Sequence, residues 1–147
     1  MDGQTIAKDS EGCHRKGKDG LYYPYICPAG YPTIGWGHLV KSMNIPPITG
    51  PEADVLFVTD WVKHERQTTF LSPVLLKPEH RIRLSAITCF VYNLGSGNYQ
   101  SSTLRKMVNR EDWDEAKLQL LKWVRGGGKV LPGLVKRREA EIALFLS

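Results

Sequence analysis

The residues with the most distinctive chemistry lie in the N-terminal third of the chain. Glu11 is followed directly by Gly12, a natural helix stop, and comes after a short stretch that contains Ile6 and Ala7. A carboxyl group at a helix end that faces a cleft can have its pKa raised by partial desolvation, as a general acid requires near neutral pH. Most glutamates are solvated surface carboxylates, and spacing alone favours that interpretation of Glu11.

A second segment runs from Cys27 to His38 as Cys-Pro-Ala-Gly-Tyr-Pro-Thr-Ile-Gly-Trp-Gly-His. Its alternating glycines are typical of a strand that bends tightly or is approached closely by a ligand. The Thr33 hydroxyl can hold a water molecule, although threonine is also simply a good strand former. Cys27 would be reactive only in an exposed, electropositive setting, and a free cysteine is more often a small buried hydrophobe. His38 is more often paired with a carboxylate than catalytic.

The elements that must position these residues divide into two regions. Residues 12–51 are rich in Gly, Pro and Tyr, which predicts loops with short strands, the best strand candidate being Thr33–Trp36. From residue 51 onward the pattern is helical, and helices are predicted to begin near Pro51, Pro78, Ser102, Asp112 and Pro132. Gly95 should end the second helix and Gly126–Gly128 the fourth.

Capping-box spacing supports two of these starts, Thr49 with Glu52 and Asp112 with Glu115. The helix after Pro78 is the most apolar and is expected to be central to the core. Helical spacing groups the following residues on one face of their helices: Val55, Val58 and Val62; Ile82, Ala86, Cys89, Phe90 and Asn93; Trp113, Ala116, Leu120 and Val124; Leu134, Arg138 and Ile142.

The composition bounds the class of protein. The chain has 147 residues, with 20 Lys and Arg against 15 Asp and Glu, 41% hydrophobic and 24% charged residues, as in an ordinary globular domain. Residues 1–73 carry a net charge of −1 and residues 74–147 a net charge of +6. A basic C-terminal half indicates an anionic partner. Composition alone does not decide whether that partner is nucleic acid, a membrane surface or an acidic polymer.

The three cysteines, Cys13, Cys27 and Cys89, are an odd number without C-x-x-C spacing, which predicts reduced thiols and no metal site. Neither a signal-peptide segment nor an apolar run long enough to span a bilayer is present. The expected location is therefore the cytoplasm, with delivery to any external substrate by another component.

Together these segments resemble the phage-type lysozymes, the endolysin muramidases. The resemblance covers about Ile6 to Leu146, and several ordered blocks are far more specific than one short motif. The blocks that carry it are Glu11-Gly12, Tyr-x-Cys-Pro-Ala-Gly-x-x-Thr-Ile-Gly-x-Gly-His over 25–38, Phe90 to Gly95, Ser101 to Leu104, Trp123 to Leu134, and Arg137-Arg138-x-x-Glu141. It implies a mainly helical α+β fold, with a β/loop lobe at about 12–50, a helical lobe at 51–147 and a cleft between them, in one domain.

The resemblance also implies a reaction, hydrolysis of the β-1,4 bond between N-acetylmuramic acid and N-acetylglucosamine in peptidoglycan. Matching motif to motif assigns Glu11 as the general acid, with Cys27 and Thr33 positioning the attacking water. Fifteen residues separate Glu11 from Cys27, more than is usual in the family, as if 14–20 had been inserted. Asp19 lies nearer the family's spacing and is the reserve candidate for the role of Cys27.

Substrate contacts are expected from Asn93, Tyr25, Leu39 and Arg138, although Asn93 also suits a helix C-cap. No cofactor or metal is implied. The expected protein is a monomeric endolysin that causes host lysis, with a holin for membrane passage and no nucleic-acid partner. The alternative is a lysozyme-fold module that binds peptidoglycan without cutting it, and a transglycosylase outcome also stays open.

Overall fold

The computed structural model describes residues 2–12 and 15–146, so Cys13, which was predicted to be a reduced thiol, lies outside the described residues. Two short 3-10 turns, Pro73–Leu76 and Pro78–His80, precede the central helix. The helices and strands, in chain order, are α1 Gly3–Glu11, β1 Tyr25–Ile26, β2 Pro32–Ile34, β3 His38–Leu39, α2 Gly50–Leu71, α3 Arg81–Leu94, α4 Ser96–Gln100, α5 Thr103–Asn109, α6 Trp113–Leu120, β4 Arg125–Gly126, β5 Lys129–Val130 and α7 Pro132–Leu146. The fold is mainly helical with small antiparallel sheets, as predicted.

The chain separates into two compact units, Glu11–Val62 and Met1–Ser10 with Lys63–Ser147. The unit Glu11–Val62 contains an antiparallel sheet in the order β1-β2-β3. Tyr25 pairs with Thr33, and Thr33 pairs in turn with Leu39. Strand β2 ends at Ile34, two residues earlier than predicted, because Gly35 and Gly37 have φ values of 63° and 90° and form a turn.

Helix α2 begins with the predicted capping box. The Thr49 amide donates to Glu52 Oε1 at 3.1 Å, and the Glu52 amide donates to Thr49 Oγ1 at 3.2 Å. These reciprocal bonds satisfy backbone donors that have no partner inside the helix. The first half of α2 buries Ala53, Phe57 and Trp61.

The predicted apolar face of α2 is exposed. Val55, Val58 and Val62 are 65%, 51% and 41% accessible, whereas the buried stripe is offset from them around the helix. Both stripes have helical spacing, and the larger, partly aromatic one is buried because it removes more apolar area from water.

The unit Met1–Ser10 with Lys63–Ser147 is built around α3, which packs against α7. Residues Ala86–Val91 of α3 are fully buried, as expected for the central helix, and Gly95 ends it with a φ of 87°. Ile82, which the spacing placed on the buried face, is 44% exposed because it lies in the first turn of α3. The predicted caps of α5 and α6 are present, since Ser102 accepts from the Arg105 amide and Asp112 from the Glu115 amide.

The region after α6 differs from the prediction. Helix α6 ends at Leu120, so Val124 lies outside it, and Gly126–Gly128 form part of a β4–β5 hairpin instead of breaking a helix. Short helix α4 was not predicted, since five residues carry too little periodicity. Cys27 and Cys89 are free thiols. Within 2–12 and 15–146, no helix is long and apolar enough to cross a membrane.

Candidate active site

Glu11 is the last residue of α1, and Gly12 follows it in the left-handed region with a φ of 69°. The side chain is half-buried and lies against the turn between β2 and β3. A Cβ atom built on Gly37 would be 3.2 Å from Glu11 Oε2, so the glycine permits the backbone to approach the carboxyl group. The Glu11 carboxyl group therefore lies against Gly37, which is four residues beyond Thr33 in the same strand-turn-strand segment.

Cys27 lies just after β1, at the start of a tight turn. Its carbonyl oxygen accepts from the Gly30 amide at 2.8 Å, and its amide donates to the Tyr31 carbonyl oxygen at 3.0 Å. Burial disfavours the thiolate, but hydrogen bonds from the Tyr31 amide, the Thr33 hydroxyl and the amides of Ala29 and Gly30 outweigh it and lower the pKa of Cys27. Converging backbone amides of this kind stabilise an anion.

Thr33 is buried in β2, and its hydroxyl lies 2.9 Å from the Tyr31 carbonyl oxygen and within reach of the Cys27 sulfur. A hydroxyl donates one hydrogen at a time. The Thr33 hydroxyl can therefore donate either to the Tyr31 carbonyl oxygen or to the Cys27 thiolate. The structure thus places two of the three residues predicted to be catalytic, Cys27 and Thr33, close to each other, where the Thr33 hydroxyl favours the Cys27 thiolate.

Asp19, the reserve candidate, is exposed in the turn that precedes Leu21. Its Oδ1 accepts from the Leu21 amide at 3.0 Å and its Oδ2 from the Tyr23 hydroxyl at 2.5 Å. The bond from Tyr23 lowers the pKa of Asp19. These contacts stabilise a turn, whereas Cys27 lies close to Thr33, so Cys27 stays the candidate and Asp19 the reserve.

Two carboxylates of α2 hold the turn that lies beside Glu11. His38 Nδ1 is 2.8 Å from Asp60 Oδ2, and Trp36 Nε1 donates to Asp54 Oδ1 at 3.0 Å. The carboxylate-paired state expected for His38 is present. Sequence reasoning missed both aspartates and Gly37, because a bond between residues 18 or 22 positions apart leaves no local pattern.

Of the predicted substrate residues in this unit, Tyr25 is buried and its hydroxyl donates to the Gly35 carbonyl oxygen at 3.4 Å. Leu39 is exposed and pairs with Thr33 across β2 and β3. Leu39 therefore offers an apolar surface beside the Thr33 strand, and Tyr25 supports the turn from within the unit.

Asn93 and Arg138 lie in the other unit and contact each other. The Arg138 side chain is 0% exposed and donates from Nη2 to Asn93 Oδ1 at 2.7 Å. It also bonds Glu141 Oε2 at 3.0 Å and lies over the Phe90 ring. A side chain without exposed surface cannot contact a sugar directly, so the expectation for Arg138 is corrected: it holds Asn93, which is half-buried near the end of α3.

Solved structures define the class. The muramidase domain of SpmX from Asticaccaulis excentricus matches with a TM-score of 0.81 at 25% identity, and the match covers 99% of this chain and 95% of that domain's chain. A mutant of P22 lysozyme has a TM-score of 0.76 at 27% identity, with coverage of 99% and 95%. The fold is that of the lysozymes.

Sequence relatives narrow this class to a family. Residues 9–141 match the Phage lysozyme family, and the chain belongs to it. The endolysin of Acyrthosiphon pisum secondary endosymbiont phage 1 is 33% identical over 149 residues, covering 99% of this chain and 95% of the relative. The endolysin of Bacillus phage B103 is 34% identical over 148 residues, and although 99% of this chain is covered, it spans about half (52%) of that relative.

A third group of relatives carries a more specific name. The SAR-endolysin of Bacteriophage PS119 is 36% identical over 131 residues, covering 85% of this chain and 76% of the relative.

Proposed function

We propose that this protein is a muramidase that hydrolyses the β-1,4 bond between N-acetylmuramic acid and N-acetylglucosamine in bacterial peptidoglycan and so lyses the host cell. Membership of the Phage lysozyme family and relatives named endolysin support a lysis function carried out by a glycosidase. The bond cleaved and the residues that cleave it are the proposal.

The observation that carries the proposal is the arrangement around one strand, β2. Thr33 of this strand lies close enough to Cys27 for its hydroxyl to favour the thiolate, and the turn that follows lies against the Glu11 carboxyl group. A proton donor at the end of α1 thus lies against the turn after β2, and a group that can hold a negative charge follows β1 of the same sheet. Glycoside hydrolysis needs one group to protonate the leaving oxygen and another to activate water or to stabilise the developing cation.

In the proposed reaction, protonated Glu11 donates its proton to the glycosidic oxygen as the bond from that oxygen to the anomeric carbon breaks. A water molecule held by the Thr33 hydroxyl attacks the anomeric carbon and loses a proton to the Cys27 thiolate. The products are a hemiacetal and the freed hydroxyl of the next sugar. The proton on Cys27 returns through solvent to Glu11, and the configuration inverts. Asn93 and Leu39 are proposed to contact the sugars.

The test compares the rate at which chloroform-permeabilised Gram-negative cells lose turbidity with wild type and Glu11→Gln. Loss of the general acid should lower the rate by about 10²- to 10⁴-fold. Glu65→Gln, which changes an exposed glutamate of α2, is the matched control and should clear cells like wild type. Equal activity of Glu11→Gln would exclude Glu11 as the acid.

Two other outcomes would replace the proposed reaction. Binding of the wild type to walls without clearing would indicate the non-catalytic peptidoglycan-binding module. Mass spectrometry of the released fragments distinguishes a hydrolase from a transglycosylase, because hydrolysis leaves a reducing end and transglycosylation leaves an anhydro sugar.

The remaining expectations concern partners and location. We propose that the protein acts as a monomer, waits in the host cytoplasm and reaches the wall through a holin-dependent lesion. Several relatives are named SAR-endolysin, and whether their route of release applies to this chain is testable by fractionating expressing cells with and without a holin.

A further inference from the structure

The segment between α6 and the second turn of α7 has an unusual charge pattern. Glu115 and Glu139 are consecutive acidic residues, and the 23 residues between them contain seven Lys or Arg and no Asp or Glu. Most of these cations are exposed, whereas Arg137 and Arg138 are buried. The exposed ones in and beside the β4–β5 hairpin are Lys122, Arg125, Lys129 and Lys136.

Large apolar side chains are exposed among these cations. Leu121 is 45%, Val130 50% and Leu131 40% accessible. In the register of the hairpin, Val130 is opposite Arg125, so the two side chains share a face. Leu131 covers the other face, since a Cβ built on Gly126 would meet Leu131 Cδ1 at 2.5 Å.

The hairpin has a defined conformation. Gly127 and Gly128 have φ values of 58° and 79°, which suit a tight two-residue turn between the strands. The Leu131 amide donates to the Val124 carbonyl oxygen at 2.9 Å and closes its base. We call the exposed residues of both hairpin faces and of the segment just before them, Leu121, Lys122, Arg125, Lys129, Val130 and Leu131, the basic hairpin surface.

We propose that the basic hairpin surface docks on a membrane that contains anionic phospholipid. Its cations complement the phosphate headgroups, and each cation raises the affinity for an anionic bilayer about five-fold. Its aliphatic side chains enter the apolar boundary below the headgroups. A peptidoglycan strand offers carboxylates but no apolar phase, and a nucleic acid offers no partner for three exposed aliphatic side chains. The inference does not depend on the proposed reaction.

Helix α2 provides a matched comparison. Val55 and Val58 are exposed to the same degree as the apolar residues of the hairpin, or more, but their nearest charged neighbours in the sequence are acidic: Glu52, Asp54 and Asp60. Exposed aliphatic area alone would make both surfaces bind lipid. Aliphatic area combined with positive charge would make only the basic hairpin surface do so.

The test is co-sedimentation of the full chain with vesicles of phosphatidylglycerol and phosphatidylethanolamine, or of phosphatidylcholine alone. Wild type should bind the anionic vesicles and not the neutral ones. Arg125→Glu with Lys129→Glu should reduce that affinity at least about 25-fold, as expected for two lost cations. Leu121→Ser with Val130→Ser should reduce it several-fold, and Val55→Ser with Val58→Ser should leave it unchanged.

Lys106→Glu changes an exposed residue of α5 in the same unit and controls for overall charge. For each unit of charge changed, it should lower the affinity for anionic vesicles less than the hairpin charge reversal does. Urea denaturation confirms that each variant is folded, and the kcat for clearance of purified, lipid-free peptidoglycan should be the same for all of them. Absence of vesicle binding by wild type, or a hairpin charge reversal no stronger than Lys106→Glu, would overturn the proposal. So would an unaltered affinity after loss of Leu121 and Val130, which would leave a general electrostatic attraction.

Discussion

Gly37 is the residue that lets the β2–β3 turn lie against Glu11. Its φ of 90° disfavours any other residue, and an added Cβ would press on Glu11 Oε2 at 3.2 Å. Gly37→Ala should therefore lower the free energy of unfolding by about 1–2 kcal/mol. It should also lower wall-clearing activity more than tenfold, because small displacements of a catalytic group cost much of the rate.

The control for this variant is Gly20→Ala. Gly20 has a φ of 80°, and among the described residues a Cβ there would meet no atom within 4 Å. The two variants share the backbone strain, and only Gly37→Ala moves the carboxyl group. Urea denaturation should give similar losses of stability, while turbidity assays should show a large loss of activity for Gly37→Ala alone. Equal activities would mean that Glu11 does not depend on this contact.

Cys27 should determine the acidic side of the pH profile. Burial opposes its ionisation, but the surrounding amides and the Thr33 hydroxyl lower its pKa, and the thiolate forms as the pH rises through that lowered pKa. Activity should rise over the same range. Cys27→Asp should move this rise to lower pH, because a carboxyl group ionises well below a thiol.

Cys27→Ser should abolish this rise and lower the rate by about 100-fold or more at pH values above it, since a hydroxyl group does not ionise in this range. The measurement is kcat/KM for wall clearance between pH 4 and 9 on all three proteins. If the rise stays at the same pH in Cys27→Asp, another group controls it. If Asp19→Asn is the inactive variant, the assignment of Cys27 is wrong.

At the scale of elements, α7 carries a cluster of buried charges whose arginines bond to α3: Arg137 Nη2 donates to the Cys89 carbonyl oxygen at 3.1 Å, and Arg138 Nη2 donates to Asn93 Oδ1 at 2.7 Å. Arg138 Nε lies 2.8 Å from Glu141 Oε1, and Arg137 Nε lies 3.6 Å from Glu141 Oε2. Burial raises the pKa of Glu141 and lowers that of Arg138. Removing one partner of such a pair leaves an uncompensated charge in a medium that solvates it poorly, which is costly.

Arg138→Met should therefore lower the free energy of unfolding by about 3–5 kcal/mol at pH 7. A carboxyl group whose pKa is raised in the folded state destabilises that state as the pH rises above the pKa of the unfolded chain. The loss should thus be smaller at pH 5 than at pH 7. Urea denaturation at both pH values measures it.

The companion variant is Arg138→Met with Glu141→Leu. Removing both charges should recover only part of the stability, because apolar side chains of similar volume replace the Arg138–Glu141 pair at little cost, but the buried Arg137 loses Glu141 as its ion-pair partner. Asn93 would still lose its bond from Arg138, so wall-clearing activity should remain reduced. A single variant as stable as wild type would show that the ion pair contributes nothing.

Elements with local signals were predictable from the sequence. The capping box of Thr49 and Glu52 and the cap at Asp112 act over three residues, so their residue types fix them without knowledge of the fold. Gly95 likewise ends α3 with the positive φ that glycine adopts readily. The motif from Cys27 to Thr33 is also local, and the structure places its two candidate residues close to each other.

Features set by tertiary packing were not predictable. Periodicity allowed two faces of α2, and only the partners of Phe57 and Trp61 decide which one is buried. The buried state of Arg138 also depends on Asn93 of α3, 45 residues away in the sequence, and helical spacing, which does pair Arg138 with Glu141, does not identify it. From its position in a helical pattern alone, an arginine is predicted to lie at the surface unless its partners are known.

At the scale of the whole molecule, the surplus charge belongs to one unit. The unit Met1–Ser10 with Lys63–Ser147 has 16 basic and 10 acidic residues, whereas Glu11–Val62 has 4 and 5. All three proposed catalytic residues are in the nearly neutral unit. The net charge of +5 therefore concerns how the protein reaches an anionic surface, and the chemistry of cleavage depends on local contacts.

Salt should then weaken the approach to the wall without changing cleavage itself. The distance over which charges act falls from about 10 Å at 0.1 M salt to about 3 Å at 1 M. The apparent KM for peptidoglycan, whose stem peptides carry carboxylates, should rise steeply over this range while kcat stays nearly constant. A short, peptide-free oligosaccharide of the same two sugars is the control, because it carries fewer charges and its KM should change little. Measuring both substrates across the salt series separates attraction from chemistry. An equal effect of salt on both substrates, or a fall in kcat, would mean that the charged unit acts on the cleavage step.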